Sequence, residues 1–183
     1  MAQARLLTTE DFESFISFPD NADRRFELIN GEVVEKMPTQ EHGICAGNLV
    51  TDMNLWLRQN PIGRVSVEAR HRPAGDERND RLPDVSFVRD LTKPVVRRGA
   101  ANFMPDLVVE IQSPDDDPEA MREKARFYLA NGTKIVWLVF MQLRVVEVIT
   151  ADGTWTVGED GVLSGLDVMP GFKLPVKNIF FSL

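Results

Sequence analysis

At 183 residues, with 43% hydrophobic and 27% charged side chains, the chain has the composition of a globular protein, read here as one domain over residues 1–183. A chain this long buries roughly 70% of its surface on folding, so it needs no disulfide or structural metal. The lone Cys45 can form no internal bridge and points to a reducing, cytoplasmic setting. The formal net charge of −7 argues against generic nucleic-acid binding, and no apolar run is long enough to span a membrane. The opening MAQARLLTTEDF carries no signal-peptide pattern.

In chain order, Thr8-Thr9-Glu10-Asp11 before Phe12, Phe15 and Ile16 predicts a short capped helix. Arg25–Ile29 and Glu32–Lys36 flank Asn30-Gly31, a hairpin signal because both turn residues tolerate positive φ. From Gln40 to Gln59, Ile44, Leu49, Met53, Trp56 and Leu57 recur at helical spacing, closed by Pro61 and Gly63. Val65 and Val67 mark a short strand, and the polar stretch His71–Arg81 reads as a loop. Pro83-Asp84-Val85-Ser86-Phe87-Val88 and Pro105-Asp106-Leu107-Val108-Val109-Glu110-Ile111 read as strands, the second buried on both faces. Asp117-Pro118 opens a helix that stops at Asn131-Gly132. Strands follow at Lys134–Phe140, at Arg144–Thr150 and around Trp155, and the tail reads as irregular. Strands interleaved with helices predict an α/β domain with a central mixed sheet.

Glu110 stands in the middle of an otherwise apolar strand. Burying an unpaired carboxylate costs several kcal/mol, so it requires a cationic side chain or a metal ion beside it. Asp84, opening the preceding strand, is the natural second carboxylate, and Mg²⁺ needs only one or two such ligands plus water. Charge is also uneven along the chain. Arg58 to Arg98 holds 10 Lys/Arg against 6 Asp/Glu, a net of +4, while the remainder nets −11. That stretch is either a solvated loop region or a phosphate-facing surface, with Arg70, Arg72, Arg97 and Arg98 as candidate nucleic-acid contacts. Cys45, in an apolar stretch, reads as a buried inert thiol.

The segments RFELINGEVVE, RLPDVSFV, PDLVVEIQSP and MREKARFYLANGTKIVWLV, in this order from about Phe26 to Phe140, resemble the blocks of the Uma-type family of putative restriction endonucleases. That family belongs to the PD-(D/E)XK nuclease superfamily. The resemblance implies a restriction-endonuclease-like fold and a divalent-metal site for Mg²⁺ or Mn²⁺. Asp84 then falls on the PD aspartate and Glu110 on the acid of the (D/E)XK element. The lysine of that element is replaced by Gln112, and Lys124 on the following helix matches a migrated lysine. Glu27 corresponds to an early acid near the metal, and His42 to a histidine after the first hairpin. Each has a plainer reading: Glu110 and Lys124 as a salt bridge, Lys124 on a solvated helix face, Glu27 as a hairpin residue, His42 as a helix-start side chain.

The resulting expectation is an Mg²⁺-dependent endonuclease acting on DNA. Asp84, Glu110, the Ile111 carbonyl and Glu27 would surround the ion, with Gln112 and Lys124 beside the attacking water. The alternative is a nuclease-like module that no longer cuts and binds nucleic acid or protein. Uncovered edges among the late strands around Val136, Val146 and Trp155 predict a homodimer.

Overall fold

A computed structural model describes residues 6–183. The chain forms two compact units. The first gathers the segment ending at Met37 with Arg70–Leu82 and Val95–Met104; the second comprises Pro38–Ala69, Pro83–Pro94 and Pro105–Leu183.

In the first unit, helix α1 (Thr9–Ile16) opens with a capping box between Thr8 and Asp11, which satisfies amide donors that a helix start leaves orphaned. The antiparallel hairpin β1 (Arg25–Ile29) and β2 (Glu32–Lys36) turns at Asn30 (φ 51°) and Gly31 (φ 87°). Phe12, Phe26 and Leu28 form its buried core, with Phe15 edge-on to Phe26. The segment expected as a loop, His71–Arg81, carries bridges Leu28↔Asp80 and His71↔Arg81. Its polarity is consumed internally: the Arg70 and Arg72 guanidiniums both bind the carboxylates of Glu13 and Asp80. The segment is a loop, as expected, tied down at its ends by these ion pairs and isolated bridges.

The second unit is built on a six-stranded mixed sheet, as the sequence predicts. Its order is β3 (Arg64–Val67), β4 (Val85–Val88), β5 (Leu107–Ile111), β6 (Ile135–Phe140), β7 (Val145–Thr150) and β8 (Gly153–Val157). Only β5 and β6 run parallel, joined through helix α3 (Pro118–Ala130). A parallel pair needs such a crossover. Val85, Phe87, Leu107, Val109, Ile111, Ile135, Trp137 and Val139 share one buried cluster with Cys45, Leu49, Met53 and Leu57 of helix α2 (Gln40–Gln59). The intervening residues Val108, Glu110, Val136 and Leu138 therefore face the other side, where α3 packs on β6 and buries Met121, Ala125 and Tyr128. At the α2–β3 turn, a Cβ on Gly63 would lie 2.3 Å from the Phe87 ring, so only glycine fits.

The tail departs from the irregular reading. It pairs β9 (Val162–Ser164) with β10 (Lys173–Pro175) and adds helix α4 (Val176–Ile179). Leu163, Val168, Met169, Phe172, Leu174, Val176, Ile179 and Phe180 all enter the main core. These apolar residues are frequent but follow no single period, so periodicity could not reveal strands of three residues. No helix among the described residues is long and apolar enough to cross a membrane.

Candidate active site

Two buried acids meet at one end of the second unit's sheet. The β4–β5 register pairs Val85 with Val109; one step further it sets Asp84 opposite Glu110, making them cross-strand neighbours. Such neighbours carry Cβ atoms about 4.5–5.5 Å apart. Asp84 is 2% and Glu110 5% exposed.

Each carboxylate is held by a different device. Alternation directs the Ile111 amide toward β4, but β4 begins only at Val85, so that donor lacks a ladder partner. The Asp84 side chain supplies one: Ile111 N–H donates to Asp84 Oδ2 at 2.7 Å. His42 Nε2 lies 2.9 Å from the same oxygen. His42 stands in the first turn of α2 because Thr39 caps that helix, its hydroxyl accepting from the His42 amide. One turn further, burial and then the charges of Asp84 and Glu41 push the Cys45 thiol up to about 12, as expected of an inert thiol.

Glu110 is held from α3. Asp117 caps this helix, accepting from the Ala120 amide, and Pro118 takes its first position, where no amide donor is needed. Lys124 Nζ then stands 3.0 Å from Glu110 Oε2, and the Tyr128 hydroxyl donates to Oε1 at 2.8 Å. Gln112, in the position where the resemblance expects a lysine, gives its amide to the Asp116 carbonyl at 3.2 Å, within the connection leading to α3.

The other expected residues belong to the first unit. Glu27 is buried and its Oε1 accepts from the Leu82 amide at 2.7 Å. Arg70 and Arg72 are mostly buried and bound to Glu13 and Asp80, so their charge is already neutralised. Arg97 and Arg98 are exposed, with no ion pair among the described residues.

Sequence reasoning missed two neighbours. Tyr128 is the chain's single tyrosine, four residues after Lys124 and hence on the same helix face; that spacing was the available signal. Glu68 (φ 47°) follows β3, and its amide donates to the Asp84 carbonyl at 3.2 Å. This extends the β3–β4 register and sets Glu68 on the far side of Asp84 from Glu110. Nothing in the sequence marks it.

The chemistry of the donor set suits a hard divalent cation. It offers two carboxylates and the Ile111 carbonyl, all oxygen, while the one nearby thiol stays protonated. Mg²⁺ binds through one or two carboxylates and keeps several waters, so two acids suffice. Among the described residues, no group of three or more His, Cys, Asp or Glu side chains is arranged to hold an ion.

A mixed sheet with one acid on a central strand, a second just before the neighbouring strand, and a lysine returning from the following helix has the restriction-endonuclease-like architecture. Residues 10–177 match the family described as "Uma2: Putative restriction endonuclease". The chain belongs to this Uma2 family. Its fold is similar to the crystal structure of a putative nuclease belonging to DUF820 from Anabaena variabilis. That likeness has a TM-score of 0.78 at 24% identity, covering 95% of this chain and 97% of the other. Comparison with curated proteins gives no match.

Proposed function

We propose that this protein is a divalent-metal-dependent endonuclease that hydrolyses DNA phosphodiester bonds at the Asp84–Glu110 end of its sheet. The observation that carries the reading is the pair of buried, cross-strand carboxylates with the Lys124 amine 3.0 Å from one of them. Asp84, Glu110 and the Ile111 carbonyl would hold Mg²⁺ or Mn²⁺. When bound, the ion supplies charge neutralisation at the phosphate and acidifies water. Lys124, an ammonium paired with Glu110, would donate a hydrogen bond that positions the attacking water at Nζ and add positive charge at the developing phosphorane. Gln112 orients water through its amide. His42 and the Ile111 amide fix Asp84 in one rotamer, so its oxygens are set before substrate arrives. Exposed Arg97 and Arg98 supply phosphate contacts, which makes binding salt-sensitive with little base preference.

The same reading includes a cytoplasmic location, consistent with the single unpaired Cys45, and a homodimer. β8 is an edge of the sheet, carries no charged residue, and leaves Trp155 42% exposed. Edges of this kind invite pairing. Light scattering at micromolar concentration should give twice the chain mass, and a monomer removes the dimer.

One observation favours a second reading, a nuclease-like module that binds without cutting. Both acids already have partners within the protein, Glu110 in Lys124 and Tyr128, Asp84 in His42 and the Ile111 amide. Supercoiled DNA, linear duplex, single strands and RNA should be incubated with the protein, with and without Mg²⁺ or Mn²⁺. Metal-dependent nicking of DNA that vanishes in Asp84→Asn supports the nuclease. Retention of DNA without cleavage under every condition selects the binding module.

A further inference from the structure

We infer that Tyr128 is a positioning residue of this site, its hydroxyl fixing the plane of the Glu110 carboxylate while Lys124 supplies the charge. The inference rests on the nuclease reading above and adds a residue to it. α3 presents Lys124 and Tyr128 one turn apart on a single face, and each takes a different oxygen of Glu110: Nζ on Oε2 at 3.0 Å, the hydroxyl on Oε1 at 2.8 Å.

The two contacts are not equivalent. An ammonium on a four-carbon stem is a point charge with rotatable donors; it can follow a carboxylate that turns about its last torsion. A tyrosine has two side-chain torsions, and this one is fully buried, so its hydroxyl has a fixed position. A carboxylate gripped at both oxygens, once by a rigid donor, has one plane available. Ionised, it is acceptor-only, so the hydroxyl must donate. Carboxylates that bind metals are themselves hydrogen-bonded, and losing such an outer contact typically lowers metal affinity or activity about 10–100-fold.

Tyr128→Phe removes the hydroxyl and keeps the ring. Mn²⁺ affinity by calorimetry, kcat and KM on plasmid DNA, and the urea midpoint should be measured for the parent and this variant. The expected result is Mn²⁺ affinity and kcat each lowered roughly 10–100-fold, with KM for DNA nearly unchanged. A hydroxyl that served stability alone, through its bond to Glu110, would move the urea midpoint and neither of the others. Because the chain has one tyrosine, 3-fluorotyrosine gives a single ¹⁹F resonance that reads position 128 in the otherwise native protein. That resonance should shift in Glu110→Gln and again when the parent is saturated with Mg²⁺.

A parent that binds metal and cuts, with Tyr128→Phe doing both equally well, overturns this inference alone. A resonance that ignores Mg²⁺ while the parent binds it does the same, and stands even if the phenylalanine variant fails to fold. A parent that neither binds metal nor cuts overturns the nuclease reading and this inference together.

Discussion

Lys124 Nζ stands 3.0 Å from Glu110 Oε2, so α3 brings a positive charge to the strand whose position 112 holds a neutral glutamine. The pair is also a plain buried salt bridge, and Lys124→Met separates the two roles. If the amine acts on the attacking water, cleavage should fall at least about 100-fold, with Mn²⁺ affinity by calorimetry nearly intact. Stability should drop by roughly 2–3 kcal/mol in urea. That is somewhat less than the ~3–5 of a fully buried pair, because the lysine side chain is partly exposed. Gln112→Lys in that background should recover part of the activity. A Lys124→Met enzyme that cuts like the parent would remove Lys124 from the mechanism and leave the salt bridge.

Asp84→Asn keeps an oxygen for the Ile111 amide but removes the charge. The heat of Mg²⁺ or Mn²⁺ binding should vanish in calorimetry, while the circular dichroism spectrum stays that of the parent. Unchanged metal affinity would take Asp84 out of the ligand set.

Cys45 is fully buried, and burial, then Asp84 and Glu41, raise its thiol from 9.0 to about 12. In the native protein near pH 8 it should resist alkylation and react only after unfolding. The raised value also has a stability consequence. Between pH 9 and about 12 the unfolded thiol loses its proton while the folded one keeps it, so this group's contribution to stability falls as pH rises. Cys45→Ala should lose that alkaline slope, and rapid native labelling at pH 8 would contradict the burial.

Burial opposes ionisation of Glu13, but hydrogen bonds and charge from Arg70 and then Arg72 outweigh it and hold the carboxyl below its ordinary 4.5. A depressed acid stabilises the fold above its unfolded value and loses that contribution as pH falls through the folded one. Thermal melts should therefore show the parent above Glu13→Gln near neutrality, with the gap closing below about pH 4.5. Because the side chain is 38% exposed, the gap should also shrink in high salt. A gap independent of pH would mean the contact works through shape alone.

Local physics fixes much of this protein before any tertiary contact forms. Asn30-Gly31 favours a hairpin turn, Asp117-Pro118 favours a helix start, and an acid inside Leu107–Ile111 demands a partner; all three are legible in the chain. Four ordered sequence blocks then carry Asp84, Glu110 and Lys124 to one family pattern, and β4, β5 and α3 bring them together. The partners were only partly legible. That Asp84 closes the open ladder position at Ile111 depends on strand register, which no residue spacing encodes; spacing puts Tyr128 on the Lys124 face of α3 but does not set which Glu110 oxygen it meets. The basic stretch shows the same divide: Arg70 and Arg72 read as solvent-facing charge in one dimension, and folding spends them on Glu13 and Asp80. Spacing determines which residues share an element's face. Only the pairing of one element with another determines which atoms meet, because those contacts join residues such as Asp84 and Ile111, or Glu110 and Tyr128, that lie far apart along the chain.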